Sequence, residues 1–243
     1  MIPKIIHYCW FGGNPLPDLA QKCIDSWKKF CPDYEIIRWD ESNYDVHKNQ
    51  FVENAYRSKK WAFLTDYVRL DVVYQMGGVY LDTDVELIKP LDSFLSYQCY
   101  MGMEQPGRVN TGLGFGSEKQ HPFLLDNMKE YENTNFVRSN GKFSPQTCVD
   151  ITSKLLEMRG LKKSNSLQII SNVVILPVDF LCPQDMETGK LVITDNSYSI
   201  HHYSASWKNN FDMFVYKVGI VLKKIIGENL YKEIAEIKHK LIG

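Results

Sequence analysis

Three short stretches of this chain carry side chains whose types and spacing suit chemistry. The first is Gly77-Gly78-Val79-Tyr80-Leu81-Asp82-Thr83-Asp84-Val85. On an extended backbone residues i and i+2 point to the same side, which would bring Asp82 and Asp84 together. Two carboxylates about 4 Å apart repel by roughly 4 kcal/mol at an effective dielectric of 20. Either one takes a proton or a cation joins them. Mg²⁺ and Mn²⁺ take oxygen ligands and bridge carboxylates to phosphates. The pair therefore reads as a divalent-metal site that receives a diphosphate. The plainer alternative is two exposed aspartates in a turn; the apolar strand and glycine pair before them favour the metal.

The second stretch is Thr65-Asp66-Tyr67-Val68-Arg69. Asp66 and Arg69 are three apart, on one face of a helix. Charges in so apolar a segment must be paired or engaged by a ligand. A structural ion pair and a ligand contact both remain open on the residues alone. The third is Ile200-His201-His202-Tyr203-Ser204-Ala205-Ser206-Trp207. Adjacent histidines on a strand face opposite sides, so at most one serves a given site. Imidazole would favour Mn²⁺ somewhat over Mg²⁺.

The elements that must position these residues follow from periodicity. Residues 4–11 are apolar and end at Gly12-Gly13-Asn14-Pro15, a strand and a turn. Leu16, Leu19, Ala20, Cys23, Ile24, Trp27 and Phe30 recur at helical spacing, and Cys31-Pro32-Asp33 stops that helix. Tyr34–Trp39 is a second strand, so the opening reads β-α-β, the start of a parallel sheet. A helix is expected over 45–57 and another, apolar nearly all round, over 61–76. Gly77-Gly78 caps the latter and leads into a short strand at 79–81 that reads as central in its sheet. Such strands carry ligands at their carboxyl ends. Further strands are expected at 98–103, 111–116, 168–176, 191–194 and 198–203, and helices at 121–132 and 147–159.

The 243 residues fit one domain or one domain with an appendage. With 28 Lys+Arg against 29 Asp+Glu, a generally basic nucleic-acid coat and an acidic disordered tail are both excluded. No apolar run is long enough to span a bilayer. The N-terminal residues lack the pattern of a signal peptide. The six cysteines are scattered without metal spacing, and read as reduced, mostly buried thiols of a cytoplasmic protein. The division expected is a catalytic domain over 1–208 and a tail over 209–243. From 208 on, seven Lys stand against Asp212 and three Glu. Phe211, Phe214, Val218, Val221, Leu222 and Ile225 make an apolar stripe among them. The tail reads either as a helix packed on the domain or as a peripheral element on anionic lipid.

Taken together, the motifs resemble glycosyltransferase family 32. The match runs from Ile-Pro-Lys-Ile-Ile-His-x-x-Trp-x-Gly at 2–12 through Thr-Asp-x-x-Arg at 65–69. It continues with Gly-Gly-Val-Tyr-Leu-Asp-Thr-Asp at 77–84 and His-His-x-x-x-Ser-Trp at 201–207. Order and spacing are similar to those of bacterial capsule and lipopolysaccharide transferases. The resemblance implies an α/β GT-A fold, Rossmann-like, with a mixed central sheet and C-terminal helices. It implies a nucleoside-diphosphate sugar as donor, a UDP-sugar first, with Mn²⁺ or Mg²⁺. It also implies transfer of a hexosyl unit, with retention, to a saccharide or lipid-linked saccharide in surface-polysaccharide synthesis.

By position, Trp10 would stack on the base, while His7 stands further back in a structural place. Asp66 and Arg69 would hold the donor sugar. Asp82 would contact ribose, sugar or the metal-bound diphosphate, and Asp84 would be the direct metal ligand. His202 would complete the metal shell, Trp207 would reach the β-phosphate, and Asn110 would lie in the loop facing donor and acceptor. Two other classes compete. Leu81–Val85 also fits the opening of a haloacid-dehalogenase-type phosphohydrolase, but the later acidic pair of that class is missing. A non-catalytic nucleotide-sugar-binding subunit is the other.

Overall fold

The structure is a computed structural model and describes residues 1–133, 146–186 and 188–204. By its contacts the chain divides into two units. The first comprises Met1–Gln184 with Leu191–His202 and holds Asp66, Arg69, Asp82, Asp84, Asn110 and His201. The second comprises Asp185–Lys190 and the chain from Tyr203; its described part includes a turn closed by the Gly189 N–H donating to the Asp185 carbonyl. Trp207 and the whole 209–243 tail lie outside the described residues.

The chain opens β1 (Ile5–Cys9), α1 (Asp18–Phe30), β2 (Glu35–Trp39), α2 (Gln50–Arg57), α3 (Trp61–Met76), β3 (Gly78–Tyr80) and β4 (Val85–Leu87). It continues β5 (Cys99–Gln105), β6 (Arg108–Val109), β7 (Phe115–Ser117), α4 (Pro122–Glu132) and α5 (Cys148–Glu157). Then come β8 (Gln168–Ile170), β9 (Val173–Leu176), α6 (Val178–Leu181) and β10 (Ser199–His201). The main sheet runs β2-β1-β3-β7-β5-β9-β8, with β6 paired to β5. β1 is parallel to β2 and β3, and β5 is parallel to β9, while β7 is antiparallel to both β3 and β5. The fold is therefore α/β with a mixed central sheet, as the sequence led one to expect. Since β3 and β5 both oppose β7, they run the same way. The carboxyl ends of β1, β2, β3, β5 and β9 share one rim, which is where such sheets bind ligands.

Helix α3 places the site. Leu64, Val68, Leu70 and Val73 are fully buried, and the helix is apolar nearly all round, so it lies inside the core. Burying each such side chain stabilises the fold by about 1.5–3 kcal/mol. The helix ends where the Gly77 N–H donates to the Val73 carbonyl. At Gly78 a Cβ would meet the Ile5 carbonyl oxygen at 2.8 Å and His7 Nε2 at 2.9 Å, and φ is +110°. Only glycine lets β3 lie this close to β1.

Several expected boundaries differ. Over 45–57 only Gln50–Arg57 is helical, because the Asn49 side chain accepts the Val52 N–H and caps the helix there. The run 168–176 is not one strand but a hairpin: Ser171 and Asn172 both have positive φ and turn the chain between β8 and β9. Among the described residues 191–194 forms no strand, only a bridge from Leu191 to Gln184. All six cysteines are buried, and among the described residues no helix is long and apolar enough to cross a membrane.

Candidate active site

β3 ends at Tyr80, and Leu81–Asp84 is a turn in which the Val85 N–H donates to the Asp82 carbonyl. The acidic pair thus meets across a turn and not along an extended strand. That turn carries the chain out of the main sheet. β4 then pairs antiparallel with β10, with Val85 opposite His201 and Glu86 opposite Ile200. This small ribbon delivers a histidine to the acids: Asp82, Asp84 and His201 offer ligand atoms that all lie within 4.8 Å of one another. His201 Nε2 is 3.2 Å from Asp84 Oδ1.

The histidine expected here was His202, and that assignment does not match the geometry. His202 Nε2 faces Glu86 Oε2 at 2.8 Å, and Lys22 joins the same oxygen at 3.0 Å. The two imidazoles take opposite faces of the ribbon, and the register turns His201 inward. The set of two carboxylates and one imidazole fits Mn²⁺ or Mg²⁺ by donor chemistry.

Arg69 links the acids to α3. Its Nη2 lies 3.2 Å from Asp66 Oδ1 and 3.2 Å from Asp82 Oδ1, and its Nε donates to the Thr65 carbonyl at 3.1 Å. The guanidinium stacks over Tyr80, 5.1 Å from the ring centre, and Tyr80 Oη donates to Asp82 Oδ1 at 2.9 Å. Burial outweighs the Arg69 guanidinium at Asp66 and pushes its carboxyl up to about 6. Burial also raises Asp82, opposed by Arg69 and reinforced by Asp84. At His201 burial lowers the pKa, but Asp84, Asp82 and Glu104 together raise it. The site holds more negative charge than its own cations balance.

Asn110 lies at this rim. Its Oδ1 accepts the Gly112 N–H at 2.7 Å, and its Nδ2 donates to Glu104 Oε2 at 2.9 Å. A Cβ on Gly112 would fall 2.5 Å from Asp82 Oδ2 and 3.2 Å from Arg69 Nη1, so a side chain there would close the crevice. Glu104 and Cys148 were not picked out from sequence. Cys148 opens α5, 3.7 Å from Asn110 Oδ1 and 3.9 Å from Arg69 Nη1, with its thiol pKa raised by burial. The signal for it was the Thr147-x-x-Asp150 capping box, which fixes where α5 begins. The signal for Glu104 was an acid at the end of the 98–103 strand run.

Trp10 follows β1, with its indole N–H donating to the Asn14 carbonyl at 2.6 Å. Beside that loop lies an open pocket of about 570 Å³, lined by Gly12–Asn14, Glu41, Tyr56, Lys59 and Trp61. Its aromatic walls are Trp61 and Tyr56, with ring centres 5.8 Å apart, and Trp61 packs so tightly on Gly12 that a Cβ there would fall 2.9 Å from the indole. Trp61, Thr65 and Arg69 recur every four residues, on one face of α3. Trp61 and Arg69 are therefore about 12 Å apart along the helix. His7 is structural. Trp39 Nε1 donates to its Nδ1 at 3.1 Å, so Nε2 carries the proton and donates to the Gly77 carbonyl at 2.8 Å.

Residues 17–101 match the family model described as the glycosyltransferase sugar-binding region containing DXD motif. That match is compatible with the family 32 resemblance. Inositol phosphoceramide mannosyltransferase 3 of Schizosaccharomyces pombe is 36% identical over 136 residues, 51% of this chain and 35% of that protein. Human alpha-1,4-N-acetylglucosaminyltransferase is 28% identical over 137 residues, 54% of this chain and 36% of that protein. The matches thus span about a third of the length of these curated relatives. Among solved structures, PaToxG Glycosyltransferase aligns with a TM-score of 0.48 and 17% identity, covering 65% of this chain and 68% of that one.

Proposed function

We propose that the chain is a retaining, metal-dependent glycosyltransferase of GT-A architecture. It moves a hexosyl unit from a nucleoside-diphosphate sugar, a UDP-sugar first, to a hydroxyl of a saccharide or lipid-linked saccharide in surface-polysaccharide synthesis. The observation that carries this reading is the meeting of Asp82, Asp84 and His201 within 4.8 Å at the carboxyl rim of the sheet, beside the buried Asp66–Arg69 pair. The DXD-type match and the transferase names of the two relatives support sugar transfer.

A Mn²⁺ or Mg²⁺ ion held by Asp82, Asp84 and His201 would supply charge that offsets the diphosphate as it departs. The remaining work falls to side chains. The Arg69 guanidinium is fixed by Asp66, Asp82 and the Thr65 carbonyl, so it costs no reorganisation when charge develops near it. Asp66 accepts hydrogen bonds from sugar hydroxyls, and burial makes that contact strong. Trp61 and Tyr56 offer flat faces for the base, and the 12 Å or so from there to Arg69 suits the reach from a base to the sugar-phosphate. Trp10 is proposed as a second stacking face, and Trp207 as the group that reaches the β-phosphate. The acceptor's proton passes to the departing phosphate.

A thermal-shift panel of UDP- and GDP-sugars with Mn²⁺, Mg²⁺ or chelator tests the reading. A donor at about a hundred times its Kd stabilises by about 2.7 kcal/mol, and the shift should need the metal. No shift with any nucleotide sugar would sink it. The cytoplasmic, membrane-peripheral placement of the tail has its own test. Full chain should pellet with anionic liposomes and a truncation ending at residue 210 should not.

A further inference from the structure

Donor binding as proposed uses Asp66, Arg69, Asp82, Asp84 and His201 and leaves one half-buried acid at the same rim unassigned. Glu104 is the penultimate residue of β5, which runs parallel to β3, so it stands at the edge that carries Asp82, with only the antiparallel β7 between the two strands. It is only partly exposed. Asn110 Nδ2 donates to its Oε2 at 2.9 Å, while among the described residues its Oε1 accepts no hydrogen bond. Asn110 is itself fixed through Oδ1 by the Gly112 N–H and the Cys148 thiol. One amide therefore ties Glu104 to Gly112 and Cys148, and Cys148 Sγ in turn lies 3.9 Å from Arg69 Nη1. Burial raises the Glu104 pKa, opposed by the Asn110 hydrogen bond and by the charges of Arg108 and His201. Next to it in the chain fold, Arg108 Nη1 is paired with Asp150 Oδ1 at 3.0 Å.

We propose that Glu104 binds the acceptor: its free carboxylate oxygen takes a hydrogen bond from a hydroxyl of an uncharged saccharide and holds that sugar beside the donor site. The proposal rests on the transferase reading and names the acceptor side of the same site. A fixed anion suits a hydroxyl, which donates. It repels a phosphorylated sugar or the phosphate of a lipid headgroup. Asn110 supplies the geometry, because a carboxylate tied through one oxygen presents the other in a set direction.

Glu104→Gln separates this role from a structural one. The amide oxygen of Gln can still accept from Asn110, so the loop keeps its shape, while the negative charge is lost. Acceptors would be p-nitrophenyl α- and β-glycosides of glucose, galactose, mannose and N-acetylglucosamine, with the corresponding sugar 1-phosphates as a charged arm. The expected result is a KM for the best neutral glycoside raised about tenfold or more in Glu104→Gln and again in Glu104→Ala. The thermal shift given by UDP with Mn²⁺ should stay as in the wild type. A wild-type KM in Glu104→Gln overturns the proposal. So does a wild type that prefers sugar phosphates, or one whose donor turnover no glycoside speeds. A wild type that no nucleotide or nucleotide sugar stabilises would instead overturn the transferase reading, and this proposal with it.

Discussion

Helix α3 carries two buried charge clusters on different faces. On one, Asp71 meets Lys48 Nζ at 2.6 Å and Tyr44 Oη at 2.8 Å, and Gln75 adds a longer contact. One negative charge faces one positive charge, and hydroxyl and amide donors complete the set. On the other, Asp66 and Asp82 share Arg69, while Asp84 leans on His201 and Glu104 stands close by. Among the described residues, the three acids in direct contact, Asp66, Asp82 and Asp84, face one guanidinium and one imidazole. Buried charges cost several kcal/mol each unless paired. The first cluster therefore reads as a finished structural element that ties the Tyr44–Lys48 loop to the core. The second leaves carboxylate charge that a proton or a further cation would offset, and that sets it apart from the first.

Four experiments test this contrast. The largest effect is expected on the unbalanced side. Asp84→Ala should cut metal-dependent donor turnover by about 10²-fold or more and leave thermal stability in chelator unchanged or higher. Full activity of that variant would remove the metal role. On the balanced side, Lys48→Met strands Asp71 and should cost about 2 kcal/mol in chemical denaturation, with kcat per folded molecule preserved. A fall in kcat without loss of stability would mean the two clusters are not separate.

The two histidines come next. His201→Ala should weaken Mn²⁺ binding by about tenfold or more, measured by titration calorimetry, and His202→Ala by much less. The reverse order would restore the assignment made from sequence. The smallest effect concerns pH. Asp66 has a folded pKa of about 6 against an ordinary 3.8, so the folded state holds a proton that the unfolded chain has released. Its contribution to stability is present below about 4 and is lost as pH rises through 6. Asp66→Asn should therefore gain stability relative to the wild type on going from pH 5 to pH 7 in chelator, by about 1 kcal/mol. Taking the difference between variant and wild type cancels the opposing titrations of His7 and His121, whose pKa values burial lowers.

Much of this was legible beforehand. The 3.6-residue period and the glycine pair place α3 at Trp61–Met76, its observed span. The β-α-β opening and the central place of β3 follow from apolar runs and breakers. What misled were local signals weaker than their neighbours. Asn49 caps a helix that composition alone starts earlier. Ser171 and Asn172 fold an apolar run into a hairpin, because residues that tolerate positive φ carry little weight inside a hydrophobic window.

From sequence alone came the inventory of the site: two acids one residue apart behind a central strand, an acid and an arginine on one face of a buried helix, and a histidine pair. Those are short-range relations, set by helix and strand periods. The tertiary structure decided which histidine turns inward, since that depends on the register of β10 against a strand more than a hundred residues away. It also brought Glu104 and Cys148 to the same rim, through strand order and the start of α5. A one-residue slip in pairing would exchange the faces of His201 and His202. No local pattern fixes that choice; the packing of the whole sheet does.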